Sequence, residues 1–176
     1  MKVNDLPIAG LKLIELKIFN DNRGFFVERY NEKAFQAAGL PTQFVQDNHS
    51  RSAPRVLRGL HFQSAPDAQS KLVGVLKGRI WDVAVDVRQG SATYGKHYAV
   101  ELSDSNGLLL WIPAGFAHGF CVLGDEPADV LYKVDQFYSP TCDGGIRWDD
   151  PGLGIPWPIK NPIVSEKDAQ LPAFKR

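Results

Sequence analysis

Short runs in which apolar and polar residues alternate, separated by Gly, Pro, Asn and Asp clusters, dominate the chain. Residues 11–19 set Leu11, Leu13 and Ile18 among charges, which predicts a half-buried strand. The polar run from Asn20 to Gly24 predicts a turn, and residues 25–30 resume the strand pattern, so a hairpin is expected. Asn31 is placed to cap a short helix over 32–38, which Gly39 and Pro41 would stop. From Phe44 onward the pattern is β-rich. Strands are expected over 56–62, over 71–76 and 79–88 around the Lys77-Gly78 turn, and then over 97–102, 108–112, 116–123 and 129–135. Residues 46–50 are polar throughout and 64–70 form a loop. In the run 79–88, Trp81, Val83, Val85 and Val87 share one face and Ile80, Asp82, Ala84 and Asp86 the other, which predicts a polar lumen. Short strands at regular spacing imply an all-β sandwich or barrel. The tail from Pro151, carrying Pro156, Pro158, Pro162 and Pro172, is expected to wrap the body instead of joining a central strand. With no repeat, low-complexity tract or linker, the reading is one domain over 1–176.

Composition narrows the function. A chain of 176 residues, 44% of them hydrophobic, can bury a sizeable core. Twenty basic residues balance twenty acidic ones, which gives no electrostatic reason to expect nucleic acid or an anionic membrane as partner. No apolar run approaches the length of a membrane span and the N-terminus lacks the apolar centre of a signal peptide, so the chain reads as cytoplasmic. Cys121 and Cys142 have neither zinc-ligand nor disulfide-framework spacing and read as reduced structural thiols.

Two stretches carry candidate chemistry: Arg58-Gly59-Leu60-His61-Phe62-Gln63, with Lys71 opening the next run, and Ile112-Pro113-Ala114-Gly115-Phe116-Ala117-His118-Gly119-Phe120. A base and fixed positive charges brought together are what proton abstraction beside a carbonyl needs. Alternation puts His118 on a face with Phe116, Phe120 and Val122, and Tyr132 on a face with Val130 and Val134. A histidine and a tyrosine are thus expected to point from neighbouring strands out of apolar surroundings. Each residue alone has a plainer reading: a satisfied core histidine, a strand-edge Lys71, a surface Arg58, an amphipathic Tyr132. Asp168 has the plainer reading of closing a helix capping box, Ser165-Glu166-Lys167-Asp168. Double-stranded β-helix barrels often hold a metal through a site that begins His-x-His, and here the run is His61-Phe62-Gln63. Neither a metal nor a cofactor is expected.

The whole pattern closely resembles the dTDP-4-dehydrorhamnose 3,5-epimerase family, the cupin-fold enzymes of dTDP-L-rhamnose biosynthesis. The resemblance spans nearly the whole chain. It rests on Asp21-Asn22-Arg23-Gly24-Phe25-Phe26-Val27-Glu28, Gln46-Asp47-Asn48, the stretch from Arg58, and Ala68-Gln69-Ser70-Lys71-Leu72-Val73. Further on come Trp81-Asp82-Val83-Ala84-Val85-Asp86-Val87-Arg88, the stretch around His118, and Cys142-Asp143-Gly144-Gly145-Ile146-Arg147-Trp148. It implies a cupin-type double-stranded β-helix, a jelly-roll barrel with an N-terminal β extension and a few short helices. The implied substrate is dTDP-4-keto-6-deoxyglucose, whose C4 carbonyl acidifies the protons at C3 and C5. His61 matches the general base, Asp168 its carboxylate partner, Lys71 the group that stabilises the enolate oxygen and Tyr132 the acid on the opposite face. Arg23, Phe26, Glu28, Gln46, Asp47, Asn48, His118 and Lys167 fall at substrate-contacting positions. Arg58 matches a phosphate ligand, Tyr138 the aromatic that stacks on thymine, and Asp143 stands where the family often has a glutamate. The resemblance further implies a homodimer that shares N-terminal strands, with Arg23 and Glu28 completing the partner's site. Three alternatives stay open at this point: an epimerase acting at C3 or C5 alone, a non-catalytic sugar-nucleotide-binding cupin, and a metal-dependent cupin.

Overall fold

The structure, a computed structural model, describes residues 1–175. Period-two alternation is realised as β1 (Lys2–Asp5), β2 (Lys12–Glu15), β3 (Ile18–Asp21), β4 (Gly24–Val27), β5 (Gln46–Ser52), β6 (Leu57–Gln63) and β7 (Lys71–Lys77). It continues as β8 (Arg79–Asp86), β9 (His97–Ser103), β10 (Leu108–Ile112), β11 (Phe116–Val122), β12 (Ala128–Val134) and β13 (Asp143–Gly145). Two short helices, α1 (Glu32–Ala37) and α2 (Glu166–Ala169), complete the elements. One sheet has the order β1-β2-β10-β7-β12-β5, the other β13-β6-β11-β8-β9, and the hairpin β3-β4 stands apart from both. From β5 onward the chain passes back and forth between the two sheets, which is the double winding of a cupin-type jelly roll.

The sheets meet over an apolar interior. Val73, Val75, Leu110 and Val130 come from the first sheet and Ile80, Ala84, Phe116 and Phe120 from the second. The back of the six-stranded sheet is covered by α1, whose Phe35 packs with Leu72, Leu109 and Trp111. Asn31 caps α1 by accepting the Ala34 N–H at 3.1 Å, and Gly39, at φ +68°, ends it. The back of the five-stranded sheet, with Leu60, Val83, Val85 and Ala117, is covered by the tail through Ile146, Leu153, Trp157 and Phe174. Among the described residues the tail adds no strand after β13, and its ladder contact is an isolated bridge between Val56 and Ile163. Among the described residues no helix is long and apolar enough to cross a membrane.

Several expectations are corrected. The run 11–19 is two strands, because Ile14 must face the core while Phe19 stands half exposed in the hairpin, and the chain breaks between them at Leu16, whose N–H bonds to Gly107. The polar run 46–50 belongs to β5, where Gln46, Asn48 and Ser50 are half buried and Asp47, His49 and Arg51 point outward. Its period is real but is written entirely in polar residues. His118 and Tyr132 lie on opposed sheets, not on neighbouring strands, and so approach one interior from two sides. Of the two β8 carboxylates expected there, Asp82 faces the lumen, whereas Asp86 is tied down at the end of β8 by Arg88 Nη2 at 2.7 Å and by Ser91 Oγ and Thr93 Oγ1, each at 2.6 Å.

One close approach governs the region around His61. Gly59 has φ +119°, and a Cβ there would lie 2.5 Å from Gly119 Cα and 2.8 Å from the His118 carbonyl oxygen. The β6–β11 ladder slips its register at this point, between His118 and Phe120. Gly59→Ala should therefore destabilise the fold by about 2 kcal/mol or more, seen calorimetrically as a fall in Tm of about 4–8 °C.

Candidate active site

Three separate parts of the fold converge on a cavity of ≈ 490 Å³. The five-stranded sheet supplies His61 from β6 and His118 from β11, which sit directly opposite each other in the ladder. The six-stranded sheet supplies Tyr132 from β12 and Lys71 from β7, on the inward face they share with Val73 and Val134. The tail supplies Asp168 and Lys167 from α2.

Asp168 is 3% exposed. Its Oδ1 lies 2.8 Å from His61 Nε2 and its Oδ2 accepts the Gly59 N–H at 3.1 Å. Ser165 caps α2 as expected, accepting the Asp168 N–H at 3.0 Å, but the Asp168 side chain turns to His61. Burial pushes the Asp168 carboxyl up, and the bonds from His61 and Gly59 outweigh it, holding the group below the usual carboxylate range. An ionised acceptor at Nε2 keeps the imidazole proton on that nitrogen and leaves Nδ1 as the basic lone pair.

Lys71 is 8% exposed, with Nζ 3.4 Å from the His61 carbonyl. Burial pushes its ammonium down to about 8, against the opposing pull of Asp143 and Asp82. The Tyr132 hydroxyl makes no hydrogen bond among the described residues, and burial raises it above the usual phenol range, with Arg58 opposing. His118 Nε2 lies 2.7 Å from Asp82 Oδ1, and Asp82 Oδ2 is buried without a partner among the described residues. Both cavity histidines are thus engaged by carboxylates, and among the described residues no three or more His, Cys, Asp or Glu side chains converge in a way that would hold a metal.

The rim is polar and continuous. Arg58 is steadied by Ser52 Oγ at 2.9 Å and by the Arg51 carbonyl at 3.3 Å. Asp143 Oδ2 accepts from Lys167 Nζ at 2.6 Å and from the Tyr138 hydroxyl at 3.1 Å. Burial raises the Asp143 carboxyl, but Lys167 and Tyr138 together hold it below its ordinary value. Gln46 donates to Asn48 Oδ1 at 2.8 Å and accepts the Tyr138 N–H at 3.4 Å.

Gln46, Asn48, Tyr138 and Asp143 do not line the cavity itself but stand beside it in this hydrogen-bonded rim, and four further expected contacts lie outside both. Arg23 is paired with Asp21 in the hairpin turn, Phe26 is exposed on β4, and Glu28 follows the hairpin and accepts from Asn31. Asp47 is on the outward face of β5, paired with Lys133 at 3.0 Å. Sequence reasoning missed Gln63 as an organiser. Its amide bonds the Asp67 and Phe137 carbonyls and its Oε1 accepts the Ser139 N–H, which shapes the loop that carries Tyr138. Nothing in the local pattern marks that role.

Residues 5–176 match the family model described as dTDP-4-dehydrorhamnose 3,5-epimerase. The chain belongs to this epimerase family. It is 52% identical to the dTDP-4-dehydrorhamnose 3,5-epimerase of Pseudomonas aeruginosa, over 99% of this chain and 96% of that one. The crystal structure of the Bacillus anthracis enzyme with TDP and PPi bound superposes with a TM-score of 0.95 at 46% identity, covering 98% of this chain and 99% of that one. The Legionella pneumophila epimerase in complex with dTDP-4-keto-L-rhamnose gives 0.91 at 43% identity, covering 99% of each chain.

Lys71 separates fold stability from chemistry. A lysine whose folded value is lowered from 10.5 to about 8 destabilises the fold by roughly 3 kcal/mol below pH 8, where both folded and unfolded states are protonated. Between those two values the folded state sheds its proton while the unfolded state keeps it, so the penalty fades as pH rises. Lys71→Met should raise Tm at pH 7, and the gain should shrink as scanning calorimetry is moved from pH 8 toward 10.5.

Proposed function

We propose that this chain inverts C3 and C5 of dTDP-4-keto-6-deoxyglucose by proton abstraction and return through an enolate, a step in dTDP-L-rhamnose biosynthesis, and that the whole chain acts as one epimerase domain. The observation that carries the reading is the opposition, across one cavity, of His61, backed by a buried carboxylate, and a Tyr132 hydroxyl that has no hydrogen-bond partner among the described residues. His61 Nδ1 takes the proton from the carbon beside the C4 carbonyl, and Asp168 stabilises the imidazolium that forms. Electron density moves onto the carbonyl oxygen, where the Lys71 ammonium meets it in a low-dielectric setting. Tyr132, kept neutral by burial, returns a proton from the opposite face, and the centre is inverted. Exchange of the His61 and Tyr132 protons with solvent then resets both groups.

The same reading assigns Arg58 to the diphosphate, as a fixed cation already oriented by Ser52, and the exposed ring of Tyr138 to the thymine. His118, Gln46, Asn48, Asp143 and Lys167 supply polar contacts along the cavity and rim. The nucleotide sugar bound by the Legionella relative supports a dTDP-sugar as ligand.

The chain acts as a homodimer in this proposal. β5 is an edge strand with open hydrogen-bonding groups, while the hairpin β3-β4 projects Phe19, Phe25 and Phe26, each at least half exposed. Crossing of the hairpin to the partner's β5 edge covers both liabilities. It would also carry Arg23, Phe26 and Glu28, which this chain's own cavity leaves unused, toward the partner's cavity.

Proton NMR in D₂O with dTDP-4-keto-6-deoxyglucose tests the chemistry. Deuterium should enter at both C3 and C5, and exchange at one carbon alone would replace the reading with a single-centre epimerase. His61→Ala and Lys71→Ala should each lower turnover by about 10²–10⁴-fold. Tyr132→Phe should keep part of the His61-driven exchange while losing epimerised product, and unchanged product formation would refute the assignment. Light scattering tests the assembly: replacing Phe19, Phe25 and Phe26 together by Ser should give a monomer with little activity, and a stable dimer from that variant would remove the shared-hairpin proposal.

A further inference from the structure

The tail belongs to neither sheet, yet it delivers the carboxylate on which the base relies. α2 has four residues, too few to hold a helical turn in place unaided. On its upstream side Ile163 is clamped by two bonds of 2.9 Å, donating to the Arg55 carbonyl and accepting from the Leu57 N–H. Just past α2, the Pro172 carbonyl accepts the Arg147 N–H at 2.9 Å, and Leu171 covers Gly145 so closely that a Cβ there would lie 2.8 Å from Leu171 Cδ1.

The last attachment is remote from the cavity. The Phe174 ring packs on Tyr94 with centroids 5.0 Å apart, in the connection between β8 and β9. Gly95, at φ +76°, forms the floor of this seat, because a Cβ would come within 2.9 Å of Phe174 Cε1. The Phe174 N–H donates to Asp150 Oδ2 at 2.8 Å, and Asp150 is only 7% exposed, with Oδ1 accepting the Gly152 N–H at 2.8 Å. The Tyr94 hydroxyl donates to the Lys175 carbonyl at 2.7 Å. A ring, a glycine floor, a buried carboxylate and a phenol thus converge on two tail residues that touch no part of the cavity.

We propose that Phe174, seated on Tyr94 and Gly95 and tied to Asp150, is a positioning residue that holds α2 so that Asp168 meets His61 Nε2 at hydrogen-bond distance. The proposal rests on the reading of His61 as the base with Asp168 as its partner. Release of Phe174 removes the tail's attachment beyond Pro172 and leaves the Arg147–Pro172 bond to hold that side of α2 alone, which lets α2 shift on β6, and a misplacement of about 1 Å in a catalytic group can cost about 10²-fold in rate. The nucleotide contacts at Arg58 and Tyr138 stand on other elements, and Lys167, which rides on α2, meets Tyr138 only through Asp143. The loss therefore falls on turnover more than on binding.

A double-mutant cycle decides it, reading kcat and KM with dTDP-4-keto-6-deoxyglucose and dTDP affinity by calorimetry. Phe174→Ala should lower kcat about ten- to a hundredfold and leave the dTDP Kd within about twofold, whereas Phe174→Tyr, which keeps the ring, should restore most of the turnover. In an Asp168→Asn background, adding Phe174→Ala should change kcat by less than about twofold, since the interaction it secures is already gone. If Phe174→Ala fails to fold, Tyr94→Phe keeps the ring and removes the hydroxyl's bonds to the Lys175 carbonyl and to Gln89 Nε2, and it should lower kcat severalfold, again only while Asp168 is present. Full kcat in the folded Phe174→Ala protein, or equal losses on both backgrounds, would overturn the latch while an impaired Asp168→Asn left the base assignment standing. Full kcat in Asp168→Asn would overturn the base assignment itself, and the latch with it.

Discussion

The buried carboxylate of Asp168 is the constraint around which the rest of the molecule is arranged. An ionised group that is 3% exposed must be met by donors or it shifts to its neutral form. Two donors meet it, the His61 ring and the Gly59 N–H, and each imposes a condition on the backbone. Gly59 turns its N–H to the carboxylate at a positive φ, and the space beside it is filled by Gly119, so two strands approach more closely there than side chains would permit. The register slip in the β6–β11 ladder sits at that same approach, next to the two histidines that face the cavity. A bulge beside reacting groups re-aims side chains, and here it falls where His118 and Phe120 must both be served.

Charge in the lumen is distributed so that the cost of burial falls where chemistry needs it. Most of the interior is aliphatic or aromatic, which is what holds the two sheets together. Into it project Lys71, Asp82 and His118, each buried, with Asp143 at the edge. The paired carboxylates are the less costly members, because hydrogen-bond donors meet Asp168 and Asp143 directly. Among the described residues Lys71 has a carbonyl at 3.4 Å and more distant opposite charges, so burial prevails and holds its ammonium down to about 8. An ammonium that is poorly solvated in the resting protein is one that gains most when negative charge develops beside it, which is the property that the proposed role of Lys71 at an enolate oxygen requires.

The legibility of the chain followed its hydrophobic period. Where apolar residues alternate with polar ones, as in β7, β8, β11 and β12, the strands and their faces were readable, and the helix was readable because Asn31 and Gly39 punctuate it. β5 was not readable, because Gln46, Asn48 and Ser50 face inward in place of apolar residues, so its period leaves no hydrophobic trace. β1 and β13 were too short to show one. Alternation also places His118 and Tyr132 correctly on inward faces but says nothing about which sheet each strand joins, and that is a long-range fact. Within the cavity, His61, Lys71 and Tyr132 stand out as candidates from their pattern, but their roles, and Asp168 altogether, come through resemblance; taken singly, each has an adequate structural explanation. The capping motif at Ser165 was half legible: the backbone bond to Ser165 is local and was expected, while the turn of the Asp168 side chain toward β6 depends on residues far away in sequence.

The four expected contacts that fall outside the cavity mark the limit of what one chain's geometry contains. Asp47 is outward because β5 pairs with β12 in a register that turns Asn48 and Tyr132 to the same place, and alternation then sends Asp47 the other way, onto Lys133. No local rearrangement reverses that without slipping the whole strand and burying His49 and Arg51. Arg23, Phe26 and Glu28 differ in kind. They ride on or beside a two-stranded ribbon that buries little and pairs with neither sheet, and an isolated hairpin of four-residue strands is marginal in water. Such an element gains order by packing its aromatic face on something, and the molecule presents an unpaired strand edge at β5, on the side of the sheet that leads to Tyr132. Asp47 is therefore held away by register, whereas the hairpin residues are held away by a ribbon that pairs with neither sheet.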